Sequence, residues 1–308
     1  MRQSFIKKII DAFFYGNFFA GICAVALCIE TSIQHKLAFN GIPFYIIIFL
    51  GTSSFYTYLY LKSISPSSNN ERTVWYSKNE KVIRIVQKIM LVALAADILF
   101  FIIRYFHSFE HLNTIKFGQI TLFPLAAFAY TFNLLPFPHA KRLRRIGWLK
   151  PFALGFVWSG FVSVYPIVFY QIQTNSHAGF FSLPSGWLWI KNLMFISTLC
   201  IMFDIKDRDN DAACGLKTYP VQFGIKNTIR FIIIPLVLLG LLAFFMFTVK
   251  KEMPASRIAI NAIPYLLLLI TAYSLNKKRS IIYYLSVIDG LMLVKAACGI
   301  IAMWLIAS

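Results

Sequence analysis

Residues 187–224 read Trp187-Leu-Trp-Ile-Lys-Asn-Leu-Met-Phe-Ile-Ser-Thr-Leu-Cys-Ile-Met-Phe203, then Asp204-Ile-Lys-Asp207-Arg-Asp-Asn-Asp211-Ala-Ala-Cys-Gly215-Leu-Lys217-Thr-Tyr-Pro220-Val-Gln-Phe-Gly224. The first part is an apolar run, and a bilayer core of roughly 30 Å needs about 20 such residues in a helix. The second part is a cluster of acids at the end of that run. Eight further apolar runs lie near 13–29, 42–61, 82–106, 115–134, 151–172, 228–249, 257–275 and 281–307. Proline and glycine punctuate them: Pro136 and Pro138 end the fourth, Pro151 opens the fifth, and Pro184-Ser-Gly186 precedes the sixth. None alternates in the manner of a barrel strand. The expected fold is all-α: a polytopic membrane helical bundle of about nine transmembrane helices, one domain over residues 1–308.

Composition points to the same solvent. The chain is 58% hydrophobic and 14% charged, against about 45–50% and 25% in soluble domains. Too few polar side chains remain to cover a water-soluble globule of this size. Its 31 Phe, 15 Tyr and 6 Trp exclude a disordered chain. The net charge of +18 comes from 30 Lys and Arg against 12 Asp and Glu. Taking the N-terminus as cytoplasmic, about seven in ten of these bases fall on that side, in five short segments that include Arg2, Lys7 and Lys8, and Lys141 to Lys150. That is the positive-inside pattern. It expects a cytoplasmic N-terminus, an external C-terminus and residence in a bacterial inner membrane. Nucleic-acid binding is set aside, because the basic charge is spread over short loops. The first run is too long for a signal-peptide core and no polar cleavage region follows it, so it is read as a helix. The five cysteines have neither zinc nor disulfide spacing.

Acids are scarce, so their positions carry information. Asp204, Asp207, Asp209 and Asp211 put a third of them into eight positions. If the helix continues past Phe203, a turn of about 100° per residue leaves Asp204, Asp207 and Asp211 within roughly 60° of one another, with Asp209 well away. Unpaired, three carboxylates on one face repel, and oxygen-only ligands favour a hard cation such as Mg²⁺. Lys206, Arg208 and Lys217 supply charge suited to phosphate oxygens. A solvated acidic loop salted by its own bases is the plainer alternative. An EF-hand is disfavoured, because its glycine and glutamate positions fall on Asp209 and Gly215.

The stretch from Asp204 to Gly224 closely resembles the second aspartate-rich motif of UbiA-type intramembrane prenyltransferases, D-x-x-D-x-x-x-D-x-x-x-G-x-[KR]-[ST]-x-P-V-x-x-G, filled at every specified position. The resemblance implies nine helices, with two acidic motifs on one membrane face beside a lipid-open cavity for an isoprenoid chain. It implies Mg²⁺ as cofactor, with Asp204, Asp207 and Asp211 as metal ligands and catalytic carboxylates. Lys217, Arg208 and Lys206 would bind the diphosphate. The implied partners are an isoprenyl diphosphate, a lipid or aromatic acceptor and the membrane lipids.

The first acidic motif of that family, expected at the end of the second helix, is missing. Thr52 to Lys62 contains no acid, and Glu71 and Glu80 are nine residues apart, on opposite faces of a helix. Neither Asn69 and Asn70 nor Asn133 rebuilds it. Three functional classes therefore follow: prenyl transfer, favoured by the second motif; a catalytically impaired relative that binds or moves a lipid diphosphate; and, less favoured, a cation-coupled transporter using intramembrane acids. Of those acids, Asp289 lies level with a cytoplasmic-side cavity and is divided between site and ion pair, whereas Asp97 is read as structural, with Lys88 and Lys295 as possible partners across helices. Tyr56, Tyr58 and Tyr60 are read as interfacial anchors, and the Lys141–Arg145 cluster as a topology signal.

Overall fold

The computed structural model describes residues 2–62, 70–110, 112–132, 145–175, 183–250 and 254–304. Among them every regular element is helical. Each apolar run coincides with a helix, for the physical reason that a chain in hydrocarbon must satisfy its own backbone hydrogen bonds. In chain order these are α1 (Arg2–Tyr15), α2 (Phe18–Gln34), α3 (Ile42–Lys62), α4 (Glu71–Lys78), α5 (Glu80–Arg104), α6 (Phe106–Glu110) and α7 (Thr114–Thr131). Next come α8 (Lys150–Ser159) and α9 (Tyr165–Gln173), joined by a π-turn, then α10 (Leu183–Ala213). Another π-turn joins α11 (Tyr219–Thr228) to α12 (Ile234–Lys250), and α13 (Ala255–Ser274) follows. A third joins α14 (Ile281–Tyr283) to α15 (Gly290–Trp304).

Among the described residues seven helical segments are long and apolar enough to cross a membrane, or eight where α1 with α2, bent by 57°, is taken as one span, so the expected nine is not confirmed there. The fourth expected segment, α7, falls short because Lys116, Gln119 and Pro124 interrupt its apolar face. The first expected segment, 13–29, is in fact this bent pair. Asn17 stands at its corner in the left-handed region (φ 64°), which breaks the helix between Tyr15 and Phe18. Pro136, Pro138, Asn69, Asn133, Lys141, Arg142 and Arg144 lie outside the described residues.

Burial divides the helices into inner and outer ones. The α8–α9 span is 72% buried along its most apolar stretch and α5 only 17%, although α5 is the more hydropathic. An apolar helix left uncovered by protein is what lipid contact requires, and α5 shows Val82, Ile85, Ile89, Val92 and Ile103 outward. Helix α10 packs on α8 and α12, α2 lies between α3 and α15, and α13 closes against α15. The core joins Cys23, Phe44, Val162, Phe195, Met202, Tyr265 and Met292 across these helices.

At one end of α10 the bundle buries a charged lock. Glu30 is fully buried; its Oε2 lies 2.7 Å from Lys295 Nζ, and its Oε1 accepts from Gln34 at 3.0 Å. Lys191 stands 4.0 Å from Glu30 and donates to Asn261 at 3.3 Å. A Cβ at Gly299 would lie 2.4 Å from Glu30 Oε1, so only glycine lets α15 approach α2 here. Lys295 is thus taken by Glu30 and is not a partner of Asp97 or Asp289. Asp97 Oδ2 is buried without a hydrogen-bond partner among the described residues.

Candidate active site

At its other end α10 runs through the acids without a break to Ala213. Its 31 residues extend roughly 46 Å, longer than a bilayer core is thick, so the last turns reach the polar boundary. Gly215 (φ 68°) ends it: Leu216 N–H bonds Asp211 C=O at 2.8 Å and Gly215 N–H bonds Ala212 C=O at 3.0 Å, a Schellman closure that needs a left-handed residue. The chain then turns back through Thr218 and Pro220 into α11, which is interrupted at Gly224 (φ 76°). Gly147 packs against this turn so closely that a Cβ would lie 2.3 Å from the Lys217 carbonyl.

The acids separate by partner. Asp204 and Asp211, both buried, share one amine: Lys150 Nζ stands 2.7 Å from Asp204 Oδ1 and 3.2 Å from Asp211 Oδ2. Asp204 Oδ2 is buried with no hydrogen-bond partner among the described residues. Asp207, more open, lies 3.2 Å from Lys206. Asp209 is exposed. Among the described residues no three carboxylate, imidazole or thiol groups gather into a ready-made metal cage.

These residues border a cavity of about 990 Å³ walled by α3, α4, α8, α10 and the α14–α15 span. Asp204, Lys206, Asp207 and Asp211 line it, with Lys150 and Arg145. Arg208 and Lys217, candidates of the same motif, are exposed and outside the lining. Deeper in, the wall is apolar, with Leu154, Trp158, Ile196, Leu199 and Met292. Asp289 also lines the cavity, directly after the π-turn Tyr284–Ile288, where its N–H reaches back five residues to the Tyr284 carbonyl. Such π-turns frequently mark functional sites.

Two of the three tyrosines expected as interfacial anchors face the cavity instead. Tyr56 and Tyr60 line the cavity, and Tyr56 Oη accepts a 2.6 Å bond from Trp158 Nε1; Tyr58 instead meets Phe132 and Lys62. Helix α4, which nothing in the apolar pattern foretold, brings Arg72 to the same wall. Arg72 is almost completely buried, donates to the Tyr15 carbonyl at 2.9 Å and to Asn17 Oδ1, and lies 3.7 Å above the Tyr60 ring. Tyr76, on the next turn, donates to the Tyr15 carbonyl at 3.0 Å and accepts from Asn17 at 3.1 Å. Burial pushes its phenol above the usual range, which keeps it a donor. Asn70 caps α4 through Arg72 N–H at 3.0 Å, whereas Glu80 is exposed and paired with Arg84.

Sequence reasoning overlooked Lys150, Arg72 and Glu30. Lys150 counted only as a loop cation, although its place just before Pro151 at the mouth of a span was a usable signal. Arg72 sits in a polar stretch that looked like ordinary loop.

A model of the UbiA prenyltransferase family matches residues 86–288, about two thirds of the chain. The chain is also similar in fold to a structure solved in work on digeranylgeranylglyceryl phosphate synthase in membranes. That similarity has a TM-score of 0.54 at 15% identity and covers 95% of this chain and 98% of the other. No curated protein matches by sequence.

Proposed function

The chain belongs to the UbiA prenyltransferase family, and from that membership we propose that this multi-pass membrane protein transfers an isoprenyl group from its diphosphate to a lipid or aromatic acceptor. The observation that carries the reading is the two-ended cavity: charged at the end of α10, apolar beyond it. An isoprenyl diphosphate has the same two ends. The apolar wall takes the chain and excludes water, while Trp158 and Tyr56 offer ring faces to a developing allylic cation.

The residues present fit Mg²⁺, which binds through one or two carboxylates and completes its shell with water and phosphate oxygens rather than needing an all-protein cage. Asp204, with its unpartnered Oδ2, together with Asp207 and Asp211, would hold it. When bound, the ion supplies positive charge beside the departing diphosphate. Lys206 lies on the lining and meets the phosphates directly. Arg208 and Lys217, exposed beside lining residues, act by drawing the anion to the mouth. Lys150 keeps Asp204 and Asp211 side by side until substrate arrives. The whole chain acts as one domain, and the basic bias of the loops sets the mouth towards the cytoplasm.

One observation favours a relative that binds without turnover: the end of α3 has no carboxylate opposite the Asp204 cluster. Reconstituted protein given an allylic prenyl diphosphate, an aromatic acceptor and Mg²⁺ separates the two. Release of diphosphate that Asp207→Asn abolishes supports transfer. Binding without release supports the second reading, and neither binding nor release overturns both.

A further inference from the structure

We propose that Arg257 and Lys191, at the end of the bundle away from the acid cluster, hold the headgroup phosphate of an anionic glycerophospholipid drawn from the surrounding membrane. Four helices meet there. They bring three cations, Lys191 of α10, Arg257 of α13 and Lys295 of α15. Among the described residues one acid alone, Glu30 of α2, lies within ion-pair distance of any of them. That acid is already spent: Oε2 pairs with Lys295 at 2.7 Å and Oε1 accepts from Gln34 at 3.0 Å. Lys191 stands 4.0 Å from Oε1 and donates to the neutral amide of Asn261 at 3.3 Å. Arg257 has no carboxylate of the described residues within ion-pair distance. Its Nη2 donates to the thioether of Met303 at 2.7 Å, a weak acceptor that carries no charge.

The three cations form one assembly. Asn261, which takes the Lys191 bond, lies one turn along α13 from Arg257 and donates to its carbonyl at 3.0 Å. Met303 lies two turns along α15 from Lys295, roughly 12 Å, with Gly299, the close-approach position against Glu30, between them. Lys191 accordingly feels the charge of both Lys295 and Arg257. One carboxylate against three cations leaves a surplus of positive charge in an apolar setting, which is costly until an anion joins it. The surroundings point to a lipid as the source of that anion. Trp304, next to Met303, is exposed, and Ile301 on the same turn is also outward. Tryptophan collects where acyl chains meet headgroups, so the guanidinium lies at phosphate depth with apolar surface beside it for a chain. An arginine near a helix end ordinarily extends its stem towards water. Arg257 is instead half-buried and turned across to α15. Its planar fork has further N–H donors matched to phosphate oxygens. Lys191, about one turn deeper and 5.3 Å above the Phe244 ring, adds its charge behind the headgroup.

The test is thermal unfolding of the full-length protein in detergent micelles doped with phosphatidylglycerol or with phosphatidylcholine, and in separate arms with inorganic phosphate or glycerol 3-phosphate. Phosphatidylglycerol should raise the unfolding temperature by about 3 °C or more. Phosphatidylcholine, whose net charge is zero, should raise it less, and the soluble phosphates least. Arg257→Gln should need about tenfold more phosphatidylglycerol for the same response, the loss of one charge-assisted contact. Met303→Leu removes the thioether and keeps the charge, so it should keep the response. If Arg257 only braced α13 against α15, both variants would unfold earlier with the lipid response intact, and the site would fall. Lys191→Gln leaves the Glu30–Lys295 pair in place and should weaken the response; it replaces Arg257→Gln if that variant does not fold. Equal shifts from the two lipids, or an undiminished response in either charge variant, overturn the site. A shift from inorganic phosphate as large as that from phosphatidylglycerol overturns the lipid assignment. Each outcome is independent of prenyl transfer at the other end of α10.

Discussion

Helix α10 carries a buried charge cluster near each end, and the two behave differently. At Lys191, Glu30 and Lys295 meet in a sealed lock whose glutamate oxygens both have partners. Thirteen residues on, roughly 20 Å along the helix, Asp204 and Asp211 share Lys150 beside a cavity of about 990 Å³, and Asp204 Oδ2 has no partner among the described residues. Both ends place acids and amines in a protein interior, where charge is expensive. The first satisfies its glutamate internally. The second leaves polar atoms unspent next to space. Completeness of pairing, not the presence of charge, distinguishes the lock from the candidate site.

Breaking the lock should have the largest effect. Lys295→Met strands Glu30 and should cost about 3–5 kcal/mol, with Glu30→Gln added to it recovering much of the loss. Lys150→Met should cost far less, because its acids border the cavity and can hydrate. Thermal unfolding in detergent measures both, and equal losses would erase the distinction. Next in size, Asp204→Asn should lower prenyl transfer on the order of a hundredfold while leaving the unfolding temperature unchanged or higher. Glu30→Gln should do the reverse, reducing folded yield but not the specific activity of what folds. A more modest effect is expected of Gly299→Ala, which drives a methyl into Glu30 and should cost about 1–3 kcal/mol of stability, with the yield of folded protein as readout. Least of all, Arg84→Ala removes an exposed pair with Glu80 and should change stability by under about 0.5 kcal/mol. A larger change there would mean that surface charge matters more in this bundle than either buried cluster suggests.

Much of the frame was legible in the chain itself. Among the described residues helices accompany all nine apolar runs, since hydrocarbon admits few alternatives; seven or eight of them span there by length and composition, α7 being too polar. The bend at Asn17 was not legible, because a left-handed asparagine leaves no mark in hydropathy. Of the candidate site, the turn that follows the acids is explained by local rules, with Gly215 and Gly224 at positive φ. Tyr56 and Tyr60 were expected as interfacial anchors and instead line the cavity: a tyrosine near a helix end does not by itself show whether it meets lipid or a cavity.

The sequence by itself determined the solvent of this protein, the helical elements that the solvent compels, and the place where its scarce acids concentrate. These follow from composition and local periodicity, which any single segment contains. Only the tertiary structure decided which charge answers which. Lys150 reaches Asp211 across 61 residues, Arg72 reaches Tyr15 across 57, and Lys295 reaches Glu30 across 265. A helix's pattern fixes the direction of a side chain, but its partner depends on which helix packs there. That choice is made by the whole bundle at once.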